Sequence, residues 1–173
     1  EMLFIIVHQA SELWLKLCLH ELFEARTCIQ QDRLRPSFKM LARVARAQGQ
    51  LIQSWDVLST MTPHDYSLVR PHLGSSSGFQ SAQYRLMEFI LGGRKPNMVT
   101  MHEAVPEVAE KLRAELSRPS LYDETMKLLA KRGFDIPDAV IHRDREEPWE
   151  KSDAVEAAWA QIYSNPHDHW DLY

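Results

Sequence analysis

The chain has 173 residues, 45% of them hydrophobic, which is enough for one domain with a buried core. Its 20 Lys and Arg are interleaved with 24 Asp and Glu, giving a net charge of -4, so the composition argues against a nucleic-acid partner. The longest uninterrupted apolar run, residues 2–7, is far shorter than the roughly 20 residues that span a bilayer, so we expect no membrane partner.

The two cysteines, Cys18 and Cys28, fall on one predicted helix. At a rise of about 1.5 Å per residue they are roughly 15 Å apart along that helix, too far for a disulfide. Free cysteines are typical of reducing compartments, so we expect a cytoplasmic protein.

Helical spacing of apolar residues recurs from end to end, whereas alternating β-branched runs are absent and only six glycines occur. The predicted class is all-α. Long helices are predicted at residues 2–31 and 36–61, antiparallel in a helical bundle with shorter peripheral helices. The second has an apolar seam of Leu41, Val44, Gln48, Leu51, Trp55 and Leu58. Because Glu1 is followed at once by what resembles the middle of a helix, we expect residues 1–173 to form a single helical domain incomplete at both ends.

The shorter helices have recognisable ends. Thr62 suits an N-cap, with Pro63 in the first helical position and Asp65 in the first turn, and this helix is predicted to end at Gly74. Further helices are predicted at residues 79–91, at 106–116, from a cap at Ser120 to 133, and from 152 to about 164. Residues 135–148 contain two prolines and seven charges and are predicted to form a solvated connection.

Phe4 and His8 are four residues apart and therefore share one face of the first helix. An aromatic ring beside an imidazole can wall a flat apolar ligand and offer it one hydrogen bond. The alternative is a core histidine bonded to a neighbouring side chain or carbonyl, and spacing alone favours that alternative.

Tyr66, Arg70 and Leu73 form a second set on one face of the third helix. The guanidinium of Arg70 presents a rigid fork of donors that suits a carboxylate. The alternative is a surface arginine paired with Asp65 or another acid. Pro71 disfavours a regular helical conformation at Arg70, so we expect the end of this helix to be irregular.

The small-residue loop from Gly74 to Gly78 allows close backbone approach to a ligand, or is simply a turn. It lacks the lysine of a phosphate-binding loop and follows no strand, which argues against nucleotide binding. The pairs His8 with Glu12 and His167 with His169 match no metal-site spacing, so we expect no all-protein metal site.

Four stretches of sequence are distinctive: residues 4–16 (FIIVHQASELWLK), 54–70 (SWDVLSTMTPHDYSLVR), 73–92 (LGSSSGFQSAQYRLMEFILG) and 118–137 (RPSLYDETMKLLAKRGFDIP). They closely resemble, in the same order, segments of the tryptophan 2,3-dioxygenases, haem enzymes that open the indole ring of L-tryptophan. The resemblance runs through most of the chain.

This resemblance implies roles for individual residues. His8 matches the distal histidine that faces the indole N–H, and Phe4 matches an aromatic residue of the same pocket. The remaining matches are substrate contacts at Tyr66, Arg70 and Leu73, with Arg70 on the carboxylate, and haem-side positions at Trp55, Ser77 and Gly78.

The resemblance also implies a haem b cofactor and a homotetramer that inserts O2 across the indole C2=C3 bond to give N-formylkynurenine, the first step of tryptophan catabolism. The family's proximal histidine, which ligates the iron, is expected beyond Tyr173. Two alternatives stay open: a related haem indole dioxygenase with another substrate preference, and an inactive helical fragment or assembly module.

Overall fold

The two longest helices form an antiparallel hairpin in the computed structural model, which describes residues 2–74 and 80–172. Helix α1 (Met2–Gln30) and helix α2 (Leu34–Leu58) are joined by three residues. Asp32 turns the chain there with a left-handed φ of 58°, a conformation that aspartate tolerates better than most residues. An ion pair between Glu21 and Arg43 joins the two helices. The predicted hairpin is therefore confirmed, with small shifts at the helix ends.

The shifts have local causes. Helix α2 begins at Leu34, two residues before Pro36. Pro36 therefore lies in the first turn, where its missing N–H costs no intrahelical hydrogen bond. It ends at Leu58, where the hydroxyls of Ser59 and Thr60 donate to the carbonyls of Asp56 and Val57.

Helix α3 (Pro63–Val69) begins with the expected capping box: the Thr62 hydroxyl accepts from Asp65 N–H, and the Asp65 carboxylate accepts from Thr62 N–H. It continues as a 3₁₀ turn over Arg70–Leu73, so the irregular end expected from Pro71 is confirmed. Helix α4 (Ala82–Leu91) begins at a Ser81 cap, later than predicted, and ends at Gly92 with φ 105°.

The remaining helices are α5 (Pro106–Leu116), α6 (Leu121–Lys131), α7 (Asp138–Ile141) and α8 (Asp153–Ser164), with 3₁₀ turns at Pro96–Met98 and Thr100–His102. The described residues contain no strand, so the all-α prediction is confirmed. The buried cluster runs from Leu15 to Leu172, and its fully buried side chains include Cys18, Leu22, Phe89, Ile90, Leu112 and Leu129. That the chain is one domain, incomplete at both ends, stays a prediction.

The segment 135–148 is more than the solvated connection that its charges predicted. It contains α7, and the Arg143 side chain is largely buried, with Nε donating to Asp123 Oδ1 at 2.8 Å. The guanidinium also lies 6.0 Å from the Tyr122 ring, which stacks on Trp149 at 5.3 Å. The hydrogen bond from Arg143 to the buried Asp123 carboxylate thus holds this charged segment against α6.

Helix α1 combines two different halves. Its second half lies in the core, whereas Met2, Ile6 and Leu13 in the first half are more than half exposed. Among the described residues, α1 is the one helix long and apolar enough to cross a membrane, with a mean hydropathy of 1.4 over 18 residues. A core helix passes the same test, so this finding is weak evidence, and the absence of a membrane partner stays a prediction.

His102 makes the free energy of unfolding depend on pH. Burial, and secondarily the positive charge of Arg85, lowers the pKa of His102 below its ordinary value of about 6.5. The unfolded chain then binds the proton more tightly, so this contribution to stability is fully present above about pH 6.5 and is lost as the pH falls through the folded pKa. We expect His102→Leu to lose less stability than the parent between pH 7.5 and 5, measured by urea unfolding. His167→Leu, at an exposed histidine, should keep the parent's pH dependence, and an unchanged profile in His102→Leu would contradict this prediction.

Candidate functional site

His8 is half-buried on α1, and one of its ring nitrogens has a defined partner. Its Nδ1 lies 2.8 Å from the main-chain oxygen of Phe4. A carbonyl oxygen can only accept, so Nδ1 carries the proton and Nε2 of the neutral ring is an acceptor. The two rings lie 4.1 Å apart between centroids at 32°, as their four-residue spacing predicts. The alternative of a histidine bonded to a carbonyl therefore holds for Nδ1 alone, because Nε2 has no hydrogen bond to any described residue.

His8 opens onto a cavity of about 170 Å³ between α1, α2 and α4. Its lining also includes Trp55, and in full it is His8, Ser11, Glu12, Leu15, Leu51, Trp55, Ser81 and Tyr84. The Trp55 side chain is 64% exposed, so its place in the buried seam of α2 was predicted wrongly. Trp55 instead forms part of the cavity wall on the α2 side.

The α4 wall of this cavity was not foreseen from the sequence. The Gln83 side-chain amide donates to the Glu12 carboxylate at 2.6 Å and to the Glu12 main-chain oxygen at 2.9 Å. The Ser81 hydroxyl accepts from Tyr84 N–H at 3.1 Å and so begins the helix beside the cavity. Glu12 carries one detectable signal, since it is four residues after His8 on the same face. Gln83 carries none, because its contact spans 71 residues.

Tyr66 and Arg70 line a separate open hollow of about 540 Å³ together with Ser67, Pro71 and Gly74. Arg70 is exposed and donates from Nη1 to the Gly74 main-chain oxygen at 2.9 Å. Leu73 lies in the 3₁₀ turn, half-buried, and does not line this hollow. The structure thus brings His8 together with Trp55, and Tyr66 with Arg70, in two different cavities.

One interpretation of the sequence paired Arg70 with Asp65, but the structure shows no such ion pair between these two described residues. Hydrogen bonds from the Thr62 hydroxyl and then the Thr62 N–H lower the pKa of Asp65 below its usual value. The carboxylate is therefore committed to the start of α3. Among the described residues, the hydrogen-bond partner of the Arg70 guanidinium is the Gly74 carbonyl, which a ligand carboxylate can replace.

The surface beside the cavity suits a flat apolar group. Ile5, about one turn before His8, is 39% exposed. Ile52, about one turn before Trp55, is 71% exposed, and Trp55 itself is 64% exposed. Exposed apolar side chains on the turns next to a cavity favour a ligand or partner site there. Ser77 and Gly78 lie outside the described residues, and within 2–74 and 80–172 no group of three His, Cys, Asp or Glu is placed to hold a metal ion.

Comparison with known proteins identifies the family of this chain. The tryptophan 2,3-dioxygenase family model matches residues 1–117. Tryptophan 2,3-dioxygenase of Erythrobacter litoralis is 73% identical over all 173 residues, which cover 66% of that protein's length. Those of Burkholderia multivorans and Ralstonia pickettii are 53% identical, with 56% and 62% of their lengths covered. The chain thus spans less than two thirds of these relatives, and it belongs to the tryptophan 2,3-dioxygenase family.

Proposed function

We propose that the protein containing this chain is a haem-dependent dioxygenase that inserts both atoms of O2 across the indole C2=C3 bond of L-tryptophan, giving N-formylkynurenine. The observation that carries this proposal is the hydrogen bond from His8 Nδ1 to the Phe4 carbonyl. It leaves Nε2 as an acceptor beside a cavity, which is what an indole N–H requires. Membership of the family supports the same conclusion.

His8 is proposed to orient the substrate. Neutral imidazole accepts the indole N–H at Nε2, and the Phe4 ring, 4.1 Å from the His8 ring, restricts the plane in which the indole lies. A ring held in this way presents C2 and C3 in one direction, and this loss of freedom before the reaction lowers the barrier. Base catalysis by His8 is a secondary role.

Arg70, Tyr66 and Leu73 are proposed to bind the amino-acid end of tryptophan. Arg70 exchanges its contact with the Gly74 carbonyl for a charge-assisted bond to the substrate carboxylate. Tyr66 lies one turn away in the same hollow. Because Arg70 and His8 line different cavities, the substrate has to span the space between them.

The proposed haem contacts are Trp55, Ser77 and Gly78, and the exposed apolar side chains of Ile5, Ile52 and Trp55 are of the kind that can cover one face of haem b. When bound, haem b supplies the iron that binds and activates O2. The protein ligand to the iron is proposed to be a histidine beyond Tyr173. A cytoplasmic homotetramer is proposed on the same family grounds.

The direct test is an assay of the full-length protein. After haemin is added, a Soret band and the conversion of L-tryptophan to N-formylkynurenine with uptake of one O2 are expected. A substrate panel of tryptamine, D-tryptophan and ring-substituted analogues decides between a tryptophan enzyme and a related indole dioxygenase. Absence of a Soret band and of product would overturn the proposal.

Replacing Arg70 by alanine is expected to weaken tryptophan binding by about tenfold to a hundredfold, because a hydrogen bond to a charged group contributes roughly 1.5–3 kcal/mol. Tryptamine lacks the carboxylate, so its affinity should change little. Dissociation constants for both compounds, measured without O2, check this result. Arg46→Ala, at an exposed arginine of α2, is the matched control. If Arg70→Ala keeps the parent's tryptophan-to-tryptamine ratio, the carboxylate assignment is wrong.

A further inference from the structure

The link between Gln83 and Glu12 joins two walls of the His8 cavity. Both hydrogens of the Gln83 amide are used, one on the Glu12 carboxylate at 2.6 Å and one on the Glu12 main-chain oxygen at 2.9 Å. The bond to the carboxylate is charge-assisted and so stronger than a bond between neutral groups. Both residues are half-buried, which limits competition from water. Among the described residues, this is the one side-chain hydrogen-bonded contact between α1 and α4.

The link lies where it can control the cavity. Glu12 follows His8 by four residues and lines the cavity with it. On α4, Gln83 lies between Ser81 and Tyr84, which form the opposite wall. The Ser81 cap on Tyr84 N–H makes the first turn of α4 a defined unit. The amide of Gln83 therefore ties that unit directly to the helix that carries His8.

The other contacts between α1 and α4 lie deeper in the core. Cys18 and Leu22 on α1 and Phe89 and Ile90 on α4 are fully buried, and all four follow the cavity-lining residues of their helices along the chain. These residues stabilise the pair of helices, but they are at least two turns from His8 on α1. Leu15 on α1 is also buried and lines the cavity, so apolar packing reaches this end, where the polar link adds a directional contact between the two helices.

We propose that Gln83 and Glu12 are positioning residues, a pair we call the Gln83–Glu12 clamp, which sets the distance between His8 and the α4 wall and thereby the orientation of the indole. The inference rests on the proposed function, since it assigns the clamp a role in the same reaction. Neither residue needs to touch the substrate. A displacement of the cavity wall by about 1 Å is enough to misplace a reacting group and lower the rate by up to a hundredfold.

The test uses haem-loaded full-length protein and two substrates. Gln83→Leu removes both donors, whereas Glu12→Gln keeps an acceptor at the same place without the charge. Gln53→Leu, at an exposed glutamine of α2, is the matched control. L-Tryptophan is compared with 1-methyltryptophan, which lacks the indole N–H and so reports whether the bond to His8 is being formed. kcat, KM and Tm are measured for every variant.

We expect Gln83→Leu to lower kcat for tryptophan about tenfold with KM within threefold of the parent, because Arg70 binds the other end of the substrate. Its preference for tryptophan over 1-methyltryptophan should fall, since the N–H bond to His8 is already misplaced. Glu12→Gln, which keeps an acceptor but loses the charge, should give a kcat between those of the parent and of Gln83→Leu, and Gln53→Leu should match the parent.

Two results would overturn the clamp. One is an unchanged kcat in Gln83→Leu. The other is an equal loss for both substrates together with a large fall in Tm, which is the behaviour of a contact that only stabilises the fold. A parent without dioxygenase activity overturns the proposed function, and the clamp with it, whereas an active parent with an unaffected Gln83→Leu variant overturns the clamp alone.

Discussion

Arg94→Met is expected to lower the free energy of unfolding by roughly 3–5 kcal/mol, because it removes one partner of a buried charged network. The Arg94 side chain is fully buried. It donates to the main-chain oxygens of Leu116 and Arg118, both at 2.7 Å, and lies 3.4 Å from the Asp123 carboxylate. One side chain thus satisfies the carbonyls at the end of α5 and contacts the start of α6.

Asp123 is the acceptor at the centre of this network. Burial by itself raises the pKa of its carboxyl, but hydrogen bonds from Ser120 and the charge of Arg143 outweigh burial, so the pKa is below its ordinary value. The carboxylate is therefore ionised at neutral pH and needs its cationic neighbours. The buried Nε of Arg94 has no hydrogen-bond partner in the described structure, which places the expected loss toward the lower end of the range.

Urea unfolding followed by circular dichroism measures this effect. Arg113→Met is the matched control, since Arg113 pairs with Glu103 but both side chains are about half exposed. Exposed pairs of this kind contribute about 0–1 kcal/mol. An equal loss of unfolding free energy in the two variants would contradict the expectation that the buried Arg94 contributes more than an exposed arginine.

His8→Ala is expected to lower kcat roughly a hundredfold in haem-loaded full-length protein, because the indole loses the acceptor that orients it. The dissociation constant for tryptophan should rise by no more than about tenfold, since Arg70 still binds the carboxylate from its own hollow. The loss should therefore lie in the rate and only to a small extent in binding.

Steady-state kinetics with saturating tryptophan and a binding titration without O2 separate these two effects. His20→Ala provides the control, because His20 is an exposed histidine on the same helix. Turnover equal to the parent's in a fully haem-loaded His8→Ala protein would refute the role proposed for this residue.

The starts of α3 and α6 could be predicted because their causes lie within a few residues. The capping boxes at Thr62–Asp65 and Ser120–Asp123 are reciprocal bonds across three residues, and both form as expected. Prolines act on their own and the preceding residue, so the irregular turn at Pro71 was also predictable. For the same reason the stack of Phe4 on His8 followed from their spacing.

The contacts that build the site could not be predicted in this way. Gln83 and Glu12 are 71 residues apart, and Arg94 and Asp123 are 29 apart. No local preference links such residues, because they meet only after the helices have packed. Trp55 could not be placed from its local pattern either: it belongs to the apolar seam of α2, but its side chain is 64% exposed and lines the His8 cavity.

By itself, the sequence determined the all-α class, the long hairpin, the caps and the resemblance to a haem dioxygenase family, since periodicity and short-range bonds are written in neighbouring residues. Only the tertiary structure decided which nitrogen of His8 is the acceptor and that α4 completes its cavity. It also placed Arg70 in a different hollow from His8. These features depend on how the helices pack, and packing is a property of the whole chain.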